Sequence, residues 1–279
     1  MKQLIINADD FGLHEEINKG IIDGYRNGCI TSTTLIAGGA AFTHAVELAK
    51  QCPDLSVGVH LTLVGTKPVA RGDVHSLICG RKFFPGYYKF VQAYLLGRID
   101  KKHIAYELGC QMQKIAGSGI KISHIDSHQH LHILPGLADV IVALAADFKV
   151  DKIRVPQEPL FSFKVGSNRP DRIAARSLLT LCAFSARRNF GRRGLRSPEH
   201  FFGILAGGTM GLKELHAIIS DLPEGTAEIM VHPGANNTLL RRAYPWDYHW
   251  EEELRALKDG DILKLVSNND IKLINYRQF

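Results

Sequence analysis

Two adjacent carboxylates and a scatter of imidazoles are the residues of this sequence best equipped to do chemistry. Asp9 and Asp10 stand in ADDFG, His60 in VGVHLTL, and His232 in VHPG, while His124, His128, His130 and His132 crowd around Asp126 in HIDSHQHLH. Two imidazoles and a carboxylate are a common ligand set for a catalytic divalent ion, leaving positions open for water and substrate. Asp10, His60 and His128 are the candidate set. Each member alone has a plainer reading. The aspartates can form a solvated turn with Asp10 capping a helix, His60 can be a hydrogen-bonded core histidine, and the cluster can be a polar strand end.

What favours function is where these residues fall on the elements that must position them. LIINA (4–8) reads as a buried strand, 14–27 as a helix, TTLIAG (33–38) as a strand, 42–51 as a helix and SVGVHLTL (56–63) as a strand. After an excursion rich in Gly, Pro and aromatics, the pattern resumes with a helix at 101–116, the strand KISHID (121–126), a helix at 136–147 and the strand KIRVP (152–156). FFGIL (201–205), AEIMVH (227–232) and IKLINY (271–276) continue as strands, with helices at 211–221 and 249–258. This alternation predicts an α/β fold, a single (β/α) barrel that is distorted or incomplete, over residues 1–279, with elaborations at 65–100 and 157–200. Asp9, Asp10, His60, His128, His130 and His232 all fall at the carboxyl ends of predicted strands, the face on which such barrels build their sites.

Composition narrows the class. A chain of 279 residues, 45% apolar and 22% charged, can bury one large core. MKQLIINADD lacks a secretory leader and no apolar run reaches spanning length, so a cytoplasmic location is expected. Five cysteines without CxxC spacing predict neither a disulfide framework nor a thiolate zinc site. The net charge of +6 sits between Gly166 and His200, where eight arginines face Asp171 and Glu199, 8 − 2 = +6. Such a stretch is a solvated face or a contact for phosphates or lipid headgroups. RIAARSLLTLCAF followed by SARRNFGRRGLR suits an amphipathic helix on an anionic membrane or lipid-linked substrate, or a helix covering the barrel.

Taken together, NADDFGLHEEINKGI, NGCITSTTLI, VGVHLTL, SHIDSHQHLHILP and VHPG resemble the YdjC-type carbohydrate deacetylases, the family that includes chitooligosaccharide deacetylase. The match spans nearly the whole chain, and ADDFG and HxDSHxHxH carry its specificity. The length and the insertion also look similar to a subgroup associated with hopanoid biosynthesis. The resemblance implies a barrel related to polysaccharide deacetylases, a divalent ion (Mg or Zn), hydrolysis of an N-acetyl group on an oligosaccharide or glycolipid, and a homodimer. By motif position Asp10, His60 and His128 resemble the metal ligands and Asp9 the general base. His232 is expected to protonate the departing nitrogen. Arg154, in RVP, either holds Asp9 ionised, contacts substrate or makes a structural ion pair. Asp126 and His130 are expected to orient the ligands.

Two other classes compete. A metal phosphoesterase would use the arginine-rich segment to bind phosphate. A non-catalytic carbohydrate or membrane binder would be expected to have lost part of the acidic pair or ligand set, and all of it is present. No nucleic-acid partner is expected, and the basic segment at 166–200 is expected to lie beside the active-site mouth as a peripheral membrane contact.

Overall fold

The computed structural model describes residues 1–158 and 170–279. The chain begins with β1 (Lys2–Phe11), α1 (Glu15–Asn27), β2 (Ser32–Leu35), α2 (Phe42–Lys50) and β3 (Ser56–Leu61). The excursion that follows holds a short hairpin, β4 (Ile78–Cys79) and β5 (Lys82–Phe83), and the helix α3 (Tyr87–Leu95). Next come α4 (Lys101–Gly117), β6 (Ile125–Ser127), a 3-10 segment His128–Ile133, α5 (Ala138–Asp147) and α6 (Pro170–Arg192). The last third is β7 (His200–Phe202), α7 (Leu212–Ser220), β8 (Gly225–Val231), α8 (Asn237–Ala243), α9 (Trp250–Leu257), α10 (Gly260–Asn268) and β9 (Ile271–Leu273).

The main sheet is parallel throughout and runs β6-β3-β2-β1-β8-β7, with β9 added beside the start of β1. Two isolated bridges, Ile125↔Ile153 and Lys152↔Arg196, carry the curl from β6 toward β7. The result is the expected (β/α) barrel in an incomplete form. Residues 152–156, predicted as a strand, make only these bridges, because the neighbour on their far side contributes the single residue Arg196. KISHID shortens to β6 for a related reason: Ser123 and His124 still bond Val57 and Val59, but regular pairing starts at Ile125.

Strand parity sorts the side chains. On β1, Leu4, Ile6 and Ala8 join the large apolar core, whereas Ile5 packs with Ile274 and Tyr276, and Asn7 and Asp9 continue its row inside the curl. The inward rows of β2, β3, β6 and β8 carry Thr34, His60, Asp126 and Glu228. A barrel interior is ordinarily filled by branched aliphatics. Here the half toward the carboxyl ends of the strands is polar.

The elaborations differ from the predicted pattern. Helices α3, α8 and α10 were not predicted. In α3 only Phe90 is buried, and α10 buries only Ile262 and Val266, so neither shows a broad apolar stripe. The expected amphipathic helix is α6, although apolar residues lie on both its faces: Ala183, Ala186 and Phe190 are buried, while Leu181 and Phe184 are exposed. Part of the basic segment is tied to the barrel. Arg187 donates to Gln157, Ser197 and the Pro198 carbonyl, Arg193 pairs with Asp139, and Arg196 with Asp151. Arg169 and the rest of 159–169 lie outside the described residues. Among the described residues no helix is long and apolar enough to cross a membrane.

Candidate metal centre and catalytic face

The site begins where β1 ends. Asp10 adopts φ 68°, a left-handed conformation that L residues rarely take outside a tight turn. Asn18 of α1 holds this turn from below: its Oδ1 accepts from the Gly12 amide at 2.7 Å, and its Nδ2 donates to the Ala41 carbonyl at 3.1 Å. The turn separates the two aspartates, so that Asp9 and Asp10 meet different partners.

Asp10 meets the imidazoles. His128 Nδ1 lies 3.0 Å and His60 Nε2 3.5 Å from Asp10 Oδ1, and the two rings approach edge to face at 5.6 Å. Donor atoms of the three residues all lie within 4.8 Å of one another. Ligands about 2.1 Å from one tetrahedral ion sit roughly 3.4 Å apart, so this spacing fits a shared cation. The Asp10 oxygen gives a second indication: it is buried yet makes no hydrogen bond in proper geometry. Burial acts to raise the Asp10 carboxyl, but His128 and His60 outweigh it and hold it below its ordinary value. His60 is oriented from behind, its Nδ1 2.7 Å from Asp126 Oδ1. Asp126 Oδ2 is taken by the Thr34 hydroxyl at 3.0 Å and by Arg154 at 2.8 Å, which leaves Asp126 little capacity to ligate.

Asp9 meets Arg154. The guanidinium, fully buried, forks onto both Asp9 oxygens at 2.6 and 2.7 Å, and its Nε donates to Glu228 Oε1 at 2.8 Å. Glu228 in turn accepts from the Tyr276 hydroxyl at 2.6 Å, and Asn7 Nδ2 donates to Asp9 Oδ1 at 2.9 Å. Burial opposes charge on Asp9, but Arg154 and then His60 overcome it and hold the carboxyl far below the usual range. One cation thus faces three buried carboxylates, Asp9, Asp126 and Glu228. Removing it would strand all three.

His232 closes the face from β8. Burial lowers its imidazole below the ordinary histidine value against the pull of Asp9 and Asp10, and its Nδ1 has no hydrogen-bond partner among the described residues. Its amide donates to Glu253 Oε2 at 2.5 Å, and burial pushes that carboxyl up to about 8. His130 is not brought to the ligand set by any hydrogen bond. It sits at φ 55° with its ring edge on Phe201 at 6.0 Å, and His132 turns instead to the Arg154 carbonyl at 2.9 Å.

Sequence reasoning missed Asn18, Thr34, Glu228, Glu253 and Tyr276. Glu228 had a usable signal, a lone charge inside the apolar run AEIMV. Glu253 had none, because the middle of EEELRAL reads as a solvated helix face.

The curled parallel barrel thus brings an aspartate and two histidines together at its strand ends, a group that could hold a metal ion. A family model described as YdjC-like protein matches residues 3–268, and the chain belongs to that family. It is 29% identical over 277 residues to a protein named carbohydrate deacetylase from Thermoanaerobacter pseudethanolicus, covering 99% of this chain and 98% of that one. A carbohydrate deacetylase from Brevibacillus brevis is 30% identical, with 99% of each chain covered. A solved structure from Enterococcus faecalis, provisionally described as a cellobiose-phosphate cleavage protein, superposes with a TM-score of 0.78 at 25% identity, covering 99% of this chain and 98% of its own.

Proposed function

We propose that this protein is a metal-dependent hydrolase that removes the acetyl group from an N-acetylated sugar. The observation that carries the reading is the convergence of Asp10, His60 and His128 donor atoms within 4.8 Å, next to Asp9, which groups with His60 and Asp126 as well but whose two oxygens are gripped by Arg154. The names of the relatives supply the reaction class. Asp10, His60 and His128 would hold a divalent ion, Mg or Zn. Bound there, such an ion would supply Lewis acidity for the attacking water and for the acetyl oxygen.

The chain's own residues do the rest. Asp9, kept ionised and aimed by the Arg154 fork, accepts the proton of the attacking water. His232, whose Nδ1 makes no hydrogen bond among the described residues, hands a proton to the departing nitrogen, a proton that it must first take up because burial lowers its imidazole. Asp126 holds His60 Nδ1 so that Nε2 faces the ligand position.

Replacing Asp9 with Asn tests the division of labour. Metal content, read by mass spectrometry, should stay at the level of the unaltered protein, while acetate release from diacetylchitobiose falls on the order of a hundredfold or more. Loss of the metal would make Asp9 a ligand, and undiminished turnover would remove it as the base.

The substrate is proposed to be an oligosaccharide or glycolipid, and phosphorylated disaccharides belong in the screen because of the Enterococcus protein's description. The membrane contact belongs to the same reading: Leu181 and Phe184 are exposed on α6, and Arg188 and Arg192 are exposed farther along it. Reversing the charge of Arg188 and Arg192 should weaken binding to phosphatidylglycerol vesicles at low salt. If the unaltered protein does not bind them, α6 is a barrel cover or a subunit contact in the proposed homodimer. For a phosphoesterase, Arg187, Arg193 and Arg196 offer no open phosphate site, because among the described residues they are bonded to protein groups.

A further inference from the structure

We infer that the segment between α8 and α9 is the sugar-binding wall of the site, with Trp246 the surface on which the pyranose ring bearing the acetamido group stacks. This rests on the deacetylase reading and adds the part of the site that recognises the sugar.

In YPWDYHW (244–250) every second residue is aromatic, so an extended backbone sets the rings on one face. They form an unbroken row. Tyr244 stacks on Trp246 with centroids 4.8 Å apart, Trp246 meets Tyr248 at 5.3 Å, and Tyr248 meets Trp250 at 5.5 Å. The row runs along the catalytic residues. Trp246 lies 5.7 Å from the ring of His128, a proposed ligand, and Tyr248 5.1 Å from that of His232, the proposed acid.

The wall is built into the fold at three points. The Tyr244 hydroxyl donates to the Leu13 carbonyl at 3.1 Å, in the turn that follows Asp10. Tyr248 lies so close to Gly208 that a Cβ there would stand 2.2 Å from its ring, and Gly208 has φ +80°, so backbone and space both call for glycine. Trp250 is 1% exposed and roots the row in the core. Tyr244, Trp246 and Tyr248 themselves are only half-buried. Core packing alone would bury them, as it buries Trp250.

The chemistry fits a carbohydrate. A pyranose has an apolar C–H face that packs flat on an aromatic ring, while its hydroxyls stay in water or bond polar neighbours. A sugar on Trp246 would place its substituents beside His128. The wall has no formal charge apart from Asp247, so it gives no reason for an anionic group at this position.

The chain has two tryptophans, and the buried one, Trp250, is shielded from solvent, so Trp246 is the fluorescent reporter for this wall. Diacetylchitobiose added to the metal-loaded protein should shift or quench the emission saturably. The change should persist in Trp250→Phe and vanish in Trp246→Phe. In Trp246→Ala, kcat/KM for diacetylchitobiose should fall at least about tenfold more than kcat/KM for 4-nitrophenyl acetate, which has no sugar ring. Equal losses on both substrates, or hydrolysis of the disaccharide without any Trp246 signal, would overturn the wall and leave the deacetylase reading standing. If no N-acetylated sugar is hydrolysed but Trp246 still reports saturable disaccharide binding, the wall stands and the reaction assignment falls. Absence of both signals overturns both.

Discussion

His60 lies between two carboxylates with different jobs, one behind it and one facing it across the proposed ion position. Burial alone would lower its imidazole, but Asp126, Asp9 and Asp10 together push it up to about 9 in the metal-free protein. The nitrogen that would ligate must be unprotonated, so below that pH an ion has to displace a proton from His60. Apparent metal affinity should therefore rise with pH and level off above about 9. Calorimetry at pH 7 in buffers of different ionisation enthalpy should give release of about one proton per ion bound. No release would remove His60 from the ligand set. At this scale the sequence disclosed what lies at strand ends, because a polar residue closing an apolar run stands out. Arg154 was visible for that reason, but its third carboxylate and the Tyr276 hydroxyl behind it were not. Tyr276 sits after the last strand and reads as one more core aromatic, whereas its stacking on His124 at 3.6 Å and its bond to Glu228 tie the tail to the buried polar network.

Among the elements, α1 and the loop after β8 meet backbone to backbone. Gly20 on α1 faces Gly234 of VHPG, and a Cβ on Gly20 would stand 2.5 Å from the Gly234 Cα. The Ala235 amide also donates to the Glu16 carbonyl at 2.9 Å. On an open helix face Gly→Ala stabilises by roughly 0.5–1 kcal/mol. Here the methyl group meets backbone that cannot rotate away, so α1 must shift, and with it Asn18 and the turn carrying Asp10. Gly20→Ala should cost about 1–3 kcal/mol in urea unfolding and weaken metal binding as well. A gain in stability would show that the two elements are not locked. The helical period and the strand runs made α1, α2, α4 and β8 legible. The strand at 152–156 was overread because an apolar run does not say whether a partner exists on both sides. α3, α8 and α10 were missed because their apolar stripes are narrow or their segments short.

For the whole molecule, the decisive property is the polar interior of an otherwise ordinary apolar barrel. Among the described residues, Asp9, Asp10, Asp126 and Glu228 converge on Arg154 and on the imidazoles of His60 and His128. The divalent cation proposed at Asp10 would bind the folded chain alone and would add stability by mass action, about 2.7 kcal/mol at a hundred times its dissociation constant. Pulse proteolysis should then show the metal-loaded protein surviving a urea concentration at which the chelated protein is cleaved. Equal survival would mean that the carboxylates are reconciled without an ion. The crowded carboxylates also bear on the protein's fate in a living cell. A chain short of metal would open more often and be cleared sooner, so its abundance would follow the supply of the ion, and starvation for that ion would remove the enzyme along with its activity.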